Sequence, residues 1–290
     1  MKSNLARLVL AGAVLICVAT AFAGAAGAAA SGPNPKVAAE VPQKYKSKTL
    51  QVAADATYAP NEFIASNGKT VVGMDPDLAV ALAGVMGIKV KVVNATFDSI
   101  IPGLQSGKYD LGMSSFTDTK ARQKVVDFVT YFSAGTSFYV KASGGPAINS
   151  LADLCGHKVA VEKGTTQQSD STAQSAKCKK AGKPAVAVAT FPDQNGVNLA
   201  LSSGRDDVAM ADSPVAAYQV KQSHGTFKIS GKSYGTAPYG IAIPKGSGLA
   251  KPVRDALVVL IKSGKYKQIL TKWGIQQGAI SSPKINGAIS

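Results

Sequence analysis

The chain has 290 residues, 46% of them hydrophobic and 17% charged, which excludes intrinsic disorder and supplies enough apolar side chains for two ordinary domains. Its formal net charge of +15 would suit a nucleic-acid partner, yet the 32 basic residues include only Arg7, Arg122, Arg205 and Arg254 as arginines. Guanidinium forks serve base and phosphate readout, and the lysines here are scattered, so the charge reads as a solvated basic surface and no nucleic-acid partner is expected.

The N-terminus carries an address. Lys2 and Arg7 precede LVLAGAVLICVATAF and the small-residue run AGAAGAAASG. A positive start, an apolar middle and Ala-x-Ala sites predict a secretory signal over residues 1–30 and an exported chain, periplasmic or at the cell surface. A lipid anchor at Cys17 is disfavoured by the bulky Val14, Leu15 and Ile16 before it. Residues 31–48, with three prolines and no periodicity, read as a flexible tether. Once the signal is removed, Cys155 and Cys178 remain, and an even pair in an exported chain predicts a structural disulfide. His157 and His224 make no ligand cluster, so no metal or cofactor is expected.

From Leu50 onward, strand-like runs alternate with helical patterns. LQVAA is a strand, and DPDLAVALAGVMG puts Leu78, Leu82, Val85 and Met86 on one helical face before Gly87. IKVKVV alternates as a half-buried strand does. FDSIIPGLQSGKYD predicts a helix capped by Asp98, with Pro102 in its first turn. LGMSS is the next strand, leading into SSFTDTKARQK, which becomes helical near Lys120. After a break near Lys141 to Gly145 the alternation resumes with HKVAVEKG, TTQQSDSTAQSAKC, AVAVATF, VNLALSSG, DVAMAD, SPVAAYQVKQ and YGIAIPKG, and two helices follow from Leu249. The expected fold class is therefore α/β, with two lobes of mostly parallel sheet flanked by helices.

Ligands in such sheets sit beyond the carboxyl ends of the strands. The loops there carry Asp55 and Tyr58, then Ser114, Ser115, Thr117 and Arg122, then Thr165, Thr166 and Gln167 at a helix start, and finally Asp212. A guanidinium and helix-terminal N–H groups suit a carboxylate, and Asp212 suits an ammonium, so the set matches a zwitterion such as a free amino acid. Arg122 is also placed to pair with Asp118 along its helix, and Asp212 to cap the helix beginning Ser-Pro.

The ordered segments ADATYAPNEF, GMDPDLAVALA, FDSIIPGLQSGKYDLGMSS, DTKAR to VDF, SLADLCGHKVAVEKGTT, DDVAMADSPVA, PYGIAIPKG and YKQILTKWG resemble the polar amino-acid branch of the solute-binding proteins of ATP-binding-cassette importers, solute-binding protein family 3. The resemblance implies a type II periplasmic-binding-protein-like fold with a two-strand hinge. Lobe one would comprise residues 49–137 and 238–276, lobe two residues 138–237, with 277–290 a C-terminal tail. It implies that Arg122 holds the ligand carboxylate with help from Ser114, Ser115 and Thr117. Asp212 would take the ammonium, Thr165, Thr166 and Gln167 would reach in from lobe two, and Tyr58 and Phe97 would sandwich the side chain beside Asp55. Trp273 is expected in the core. The family often has an aromatic where this chain has Asn61, which bears on the shape of the mouth near Tyr58.

The function implied is an exported binding protein, a monomer, that delivers a polar L-amino acid to the permease of an importer. A dehydratase-like enzyme on the same scaffold and a signalling receptor are the alternatives. An enzyme is not expected, and no residue is assigned as catalytic: among Glu40, Glu62 and Glu162 only Glu162 stands at a cleft-facing strand end, and no GxSxG, HExxH or phosphate-binding glycine loop is present. Asp55 suits a cationic side chain but also neutral ones, and two aromatic rings would hold an amide, a guanidinium or an imidazole alike.

Overall fold

The computed structural model describes residues 32–289. The predicted signal and Cys17 lie outside the described residues. Among those described, no helix is long and apolar enough to cross a membrane.

The stretch expected as a tether is instead folded onto the first lobe. Helix α1 (Pro35–Glu40) starts with proline in its first turn, and Asn34 caps it by accepting from the Val37 amide at 3.2 Å. A second short helix, α2 (Gln43–Lys46), follows. Val37, Val41 and Tyr45 are buried in the main core cluster, and this burial outweighs the absence of periodicity in so short a segment.

The elements then run β1 (Thr49–Ala54), β2 (Thr57–Tyr58), β3 (Glu62–Ile64), β4 (Val71–Val72), α3 (Met74–Met86), β5 (Lys89–Asn94), α4 (Phe97–Gln105), β6 (Leu111–Gly112), α5 (Lys120–Gln123) and β7 (Val126–Lys141). After a 3₁₀ turn at Leu151–Leu154 come β8 (Lys158–Glu162), α6 (Thr166–Lys180), β9 (Ala187–Phe191), α7 (Gln194–Ser203), β10 (Val208–Asp212), α8 (Ser213–Gln222), β11 (Phe227–Pro244), α9 (Ala250–Lys262) and α10 (Lys265–Trp273).

An eight-stranded sheet runs β5-β1-β6-β11-β7-β10-β8-β9, and β2, β3 and β4 form a small separate sheet. Strands β1, β5 and β6 are parallel, as are β8, β9 and β10. Between these two blocks lies the antiparallel ribbon of β7 and β11. Its register breaks between Ser230 and Tyr234 and between Tyr234 and Ala237, opposite Thr136. These bulges divide the ribbon into a half in each lobe, as two strands passing between lobes require. The free edge of β7 in lobe one is covered by residues near the C-terminus: the Thr130 amide donates to Lys284 O, and Asn286 exchanges bonds with Phe128. Such cover protects an edge that would otherwise pair with another chain.

Two predicted details change. Helix α4 begins at Phe97 with Thr96 as its N-cap residue, so Asp98 lies inside the first turn and Pro102 sits in the helix interior. The expected disulfide is present between Cys155 and Cys178, linking the 3₁₀ turn to α6. Trp273 packs edge-on against Phe63 at 5.7 Å and donates to Asp77, away from the cleft.

Candidate ligand-binding site

The two lobes touch across the cleft. Arg122 Nη2 donates to Gly164 O at 3.0 Å, Lys163 pairs with Asp98 at 2.9 Å, and the Gln194 amide donates to Thr57 Oγ1 at 3.2 Å. Gly164 permits this approach: its φ is +80°, and a Cβ there would stand 3.1 Å from Cβ of Asp98. Between the lobes lies a cavity lined by Tyr58, Phe97, Ser115, Thr117, Arg122, Thr165, Thr166, Gln167 and Asp212 together with Gln194, Ala211 and Val215.

Arg122 reaches the cavity because Thr119 starts α5 and accepts from the Arg122 amide at 3.2 Å. The guanidinium lies 5.2 Å from the Phe97 ring centroid and 5.4 Å from that of Phe116. It donates to Thr117 O at 2.8 Å and to Gly164 O, which leaves part of its five-donor set for a carboxylate. Asp118 does not take it: that carboxylate accepts from Gln123 at 2.7 Å. Burial draws the Arg122 pKa down to about 10.

Opposite, α6 opens at Thr165, whose hydroxyl accepts from the Gln168 amide and donates to Glu162 O. The first N–H groups of this 15-residue helix and its positive end therefore face the cavity. Asp212 makes no capping bond to α8. It accepts instead from Gln167 Nε2 at 2.7 Å and from Tyr239 Oη at 2.7 Å. Burial raises its pKa to about 6, against the pull of Tyr239, Gln167 and Arg122. An ammonium beside it would supply the missing charge.

Of the predicted site residues, Ser114 and Asp55 stand behind the wall. Ser114 Oγ accepts from the Asp55 amide at 2.8 Å. Asp55 accepts from Thr57 Oγ1 at 2.6 Å and from the Phe97 amide at 3.0 Å, so it fixes both the first loop and the start of α4. Tyr58 and Phe97 do not form a slot. Their centroids are 5.9 Å apart and tilted by 57°, so the rings touch each other and form one wall; a flat group between them would need about 7 Å, twice a van der Waals contact.

Ser115 is held in the left-handed region at φ 51°. Its amide donates to Asp75 at 3.1 Å and its hydroxyl accepts from Asn61 Nδ2 at 2.9 Å and donates to Glu62 at 3.3 Å. Asn61 is wholly buried, so the departure from the family pattern serves this anchor. Asp75 also accepts from Tyr131 Oη at 2.8 Å. Burial raises Asp75 to about 6 and pushes Glu62 well above the carboxylate range.

Sequence reasoning missed Gln194, Ala211 and Val215, which line the cavity, and gave Glu162 no binding role. Only its place at the end of β8, just before the KGTT loop, signalled it. Among the described residues no cluster of three or more His, Cys, Asp or Glu side chains is arranged to hold a metal ion.

The family model for bacterial extracellular solute-binding proteins, family 3, matches residues 50–276. The chain belongs to this family. Among its relatives, the arginine-binding protein ArgT of Corynebacterium glutamicum is 33% identical over 256 residues, covering 88% of this chain and 84% of ArgT. An ancestral arginine-binding protein bound to arginine is 41% identical with a TM-score of 0.71, covering 78% of this chain and 97% of that one. The ancestral amino acid-binding protein AncCDT-1, a precursor of cyclohexadienyl dehydratase, is 38% identical with a TM-score of 0.67, covering 78% and 95%. The two-lobe fold of these solute-binding proteins is the fold of this chain.

Proposed function

We propose that this family 3 protein is the exported, monomeric amino-acid receptor of an ATP-binding-cassette importer, and that its ligand is an L-amino acid with a cationic side chain, arginine foremost. The observation that carries this reading is the placement in one interlobe cavity of Arg122 and the α6 N-terminus, which suit a carboxylate, together with Asp212, which suits an ammonium. Relatives named for arginine supply the side-chain class. The ligand bridges the lobes and so stabilises the closed form that a permease would recognise.

The test is a melting panel on residues 31–290 after unfolding and refolding, with each of the twenty L-amino acids at millimolar concentration. A ligand at 1,000 times its dissociation constant adds about 4 kcal/mol and raises the midpoint by several degrees. Arginine is expected to give the largest shift and D-arginine none. No shift with any amino acid would overturn the reading. A dehydratase is the second reading, favoured by the likeness to a dehydratase precursor and by Glu162 as a buried acid in the cleft. Release of an aromatic product from a carboxylate-bearing cyclohexadiene would decide for it.

A further inference from the structure

We propose that Glu162, together with Asp55, forms the subsite that receives the positively charged end of the ligand's side chain. The proposal rests on the amino-acid reading above and deepens it. Side chains two apart on a strand share a face. Ala160 packs in the same cluster as Tyr58, Phe97 and Ala211, whereas Val159 and Val161 pack in another. Glu162, two residues beyond Ala160, therefore points toward the cleft from lobe two. It is 1% exposed and faces the Tyr58 hydroxyl and the Asp55 carboxyl, and neither of its carboxylate oxygens is held by a donor in good hydrogen-bond geometry. Among the described residues it forms no ion pair. The adjacent Lys163 reaches outward to Asp98 at the cleft rim, 63% exposed.

A buried carboxyl with two idle oxygens is costly unless something pairs with it. The titratable groups that face it are Asp55 after β1, Tyr58 in β2, Tyr139 in β7 and Asp193 at the start of α7. None is a cation. Burial, with Asp55 next in size, raises Glu162 to about 10, while Asp55 itself stands near 6. At neutral pH the pair thus holds one proton. A guanidinium or ammonium entering between the two carboxyls takes the place of that proton: the Glu162 O–H bond breaks, the proton passes to solvent, and both carboxylates accept from the cation. A neutral side chain leaves the proton where it is.

The experiment compares L-arginine with L-citrulline, its uncharged near-isostere, by calorimetry from pH 6.5 to 8.5. Arginine affinity is expected to rise about tenfold per pH unit relative to citrulline, with close to one proton released per arginine as measured in two buffers of different ionisation enthalpy. Glu162→Gln should narrow the arginine-to-citrulline ratio at least tenfold at pH 7.5 and remove its pH dependence. The wild-type proton count needs no variant, so a misfolded mutant does not spare the proposal. Arginine binding with no proton release and a flat ratio would overturn the subsite alone. Failure of both ligands to bind would overturn the receptor reading with it.

Discussion

Two buried carboxyl pairs lie on the ligand side of this molecule, and they differ in where their members come from. Glu62 and Asp75 both belong to lobe one and are supplied with donors by Ser115 and Tyr131. Asp55 and Glu162 come from opposite lobes, and Glu162 meets the Tyr58 hydroxyl without a well-formed hydrogen bond. Burial raises the pKa of all four acids, and the neighbouring carboxyl raises Glu62 and Glu162 further. The cost of the first pair falls on folding, because the pair is assembled whenever lobe one is folded. The cost of the second falls on closure, because parting the lobes would return Glu162 to water. The first pair is therefore a fixture that positions Ser115, and the second a device whose protonation is tied to what the cleft contains.

The largest effect that would separate the pairs is on stability. Asp75→Ala would leave the Ser115 amide and the Tyr131 hydroxyl buried without acceptors, a loss of about 2–5 kcal/mol. The melting midpoint should fall by roughly 5–15 °C, and calorimetry should show weaker binding of arginine and citrulline alike, since Ser115 lines the cavity for both. A variant that kept its midpoint would end the view of this pair as a fixture.

Next in size is the carboxylate end of the cavity. Arg122→Ala removes charged hydrogen bonds worth roughly 1.5–3 kcal/mol each. Binding should weaken at least tenfold, to the same degree for arginine and citrulline and at every pH. Unchanged affinity would remove Arg122 from the site, and an effect on arginine alone would mean that the two ends of the cavity are not independent.

The third difference is in pH dependence without ligand. Asp75 stands near 6 and Glu62 higher, both above their unfolded values. The folded chain thus binds more protons than the unfolded one across this range, so the contribution of the pair to stability is full below the unfolded carboxylate pKa and is lost as pH rises through 6 and beyond. Midpoints measured by calorimetry from pH 5 to pH 8 should fall by several degrees, and Asp75→Asn should flatten the slope. Glu162→Gln should also lessen this slope, because Glu162 too stands above its unfolded value, and unlike Asp75→Asn it should change the pH profile of arginine binding.

Much of this arrangement was legible in the residues. Alternating strand and helix patterns gave the α/β architecture, and the strand-end rule brought Tyr58, Ser115, Thr117, Arg122, Thr165, Thr166, Gln167 and Asp212 to one cavity. What stayed hidden depends on tertiary packing. Residues 31–48 are too short to show a period, and only contact with the lobe-one core makes Val37 and Tyr45 helical and buries them together with Val41. Asn61 turns inward because Ser115 needs a donor, a fact carried by a partner 54 residues away. Glu162 was visible as a glutamate at a strand end, but its idle oxygens and its facing Asp55 exist only once the lobes meet. Tyr58 and Phe97 both line the cavity, and their mutual contact goes with the stacking of Phe97 on Phe116 at 4.4 Å, which no spacing announces.

The smallest effect concerns the rim. Lys163 and Asp98 pair across the cleft at 2.9 Å, beside the buried Glu162 but in solvent. Exposed ion pairs contribute roughly 0.2–1 kcal/mol and are screened by salt. Because this pair exists only when the lobes meet, its contribution goes to closure. Lys163→Ala should therefore weaken arginine binding by less than about fivefold, and the difference from wild type should vanish in about 1 M salt, where the screening length falls to about 3 Å. The midpoint without ligand should not move. A larger, salt-resistant loss confined to arginine would show that the lysine acts on the Asp55–Glu162 pair itself, and the charge at the rim would then have to be counted as part of the side-chain subsite.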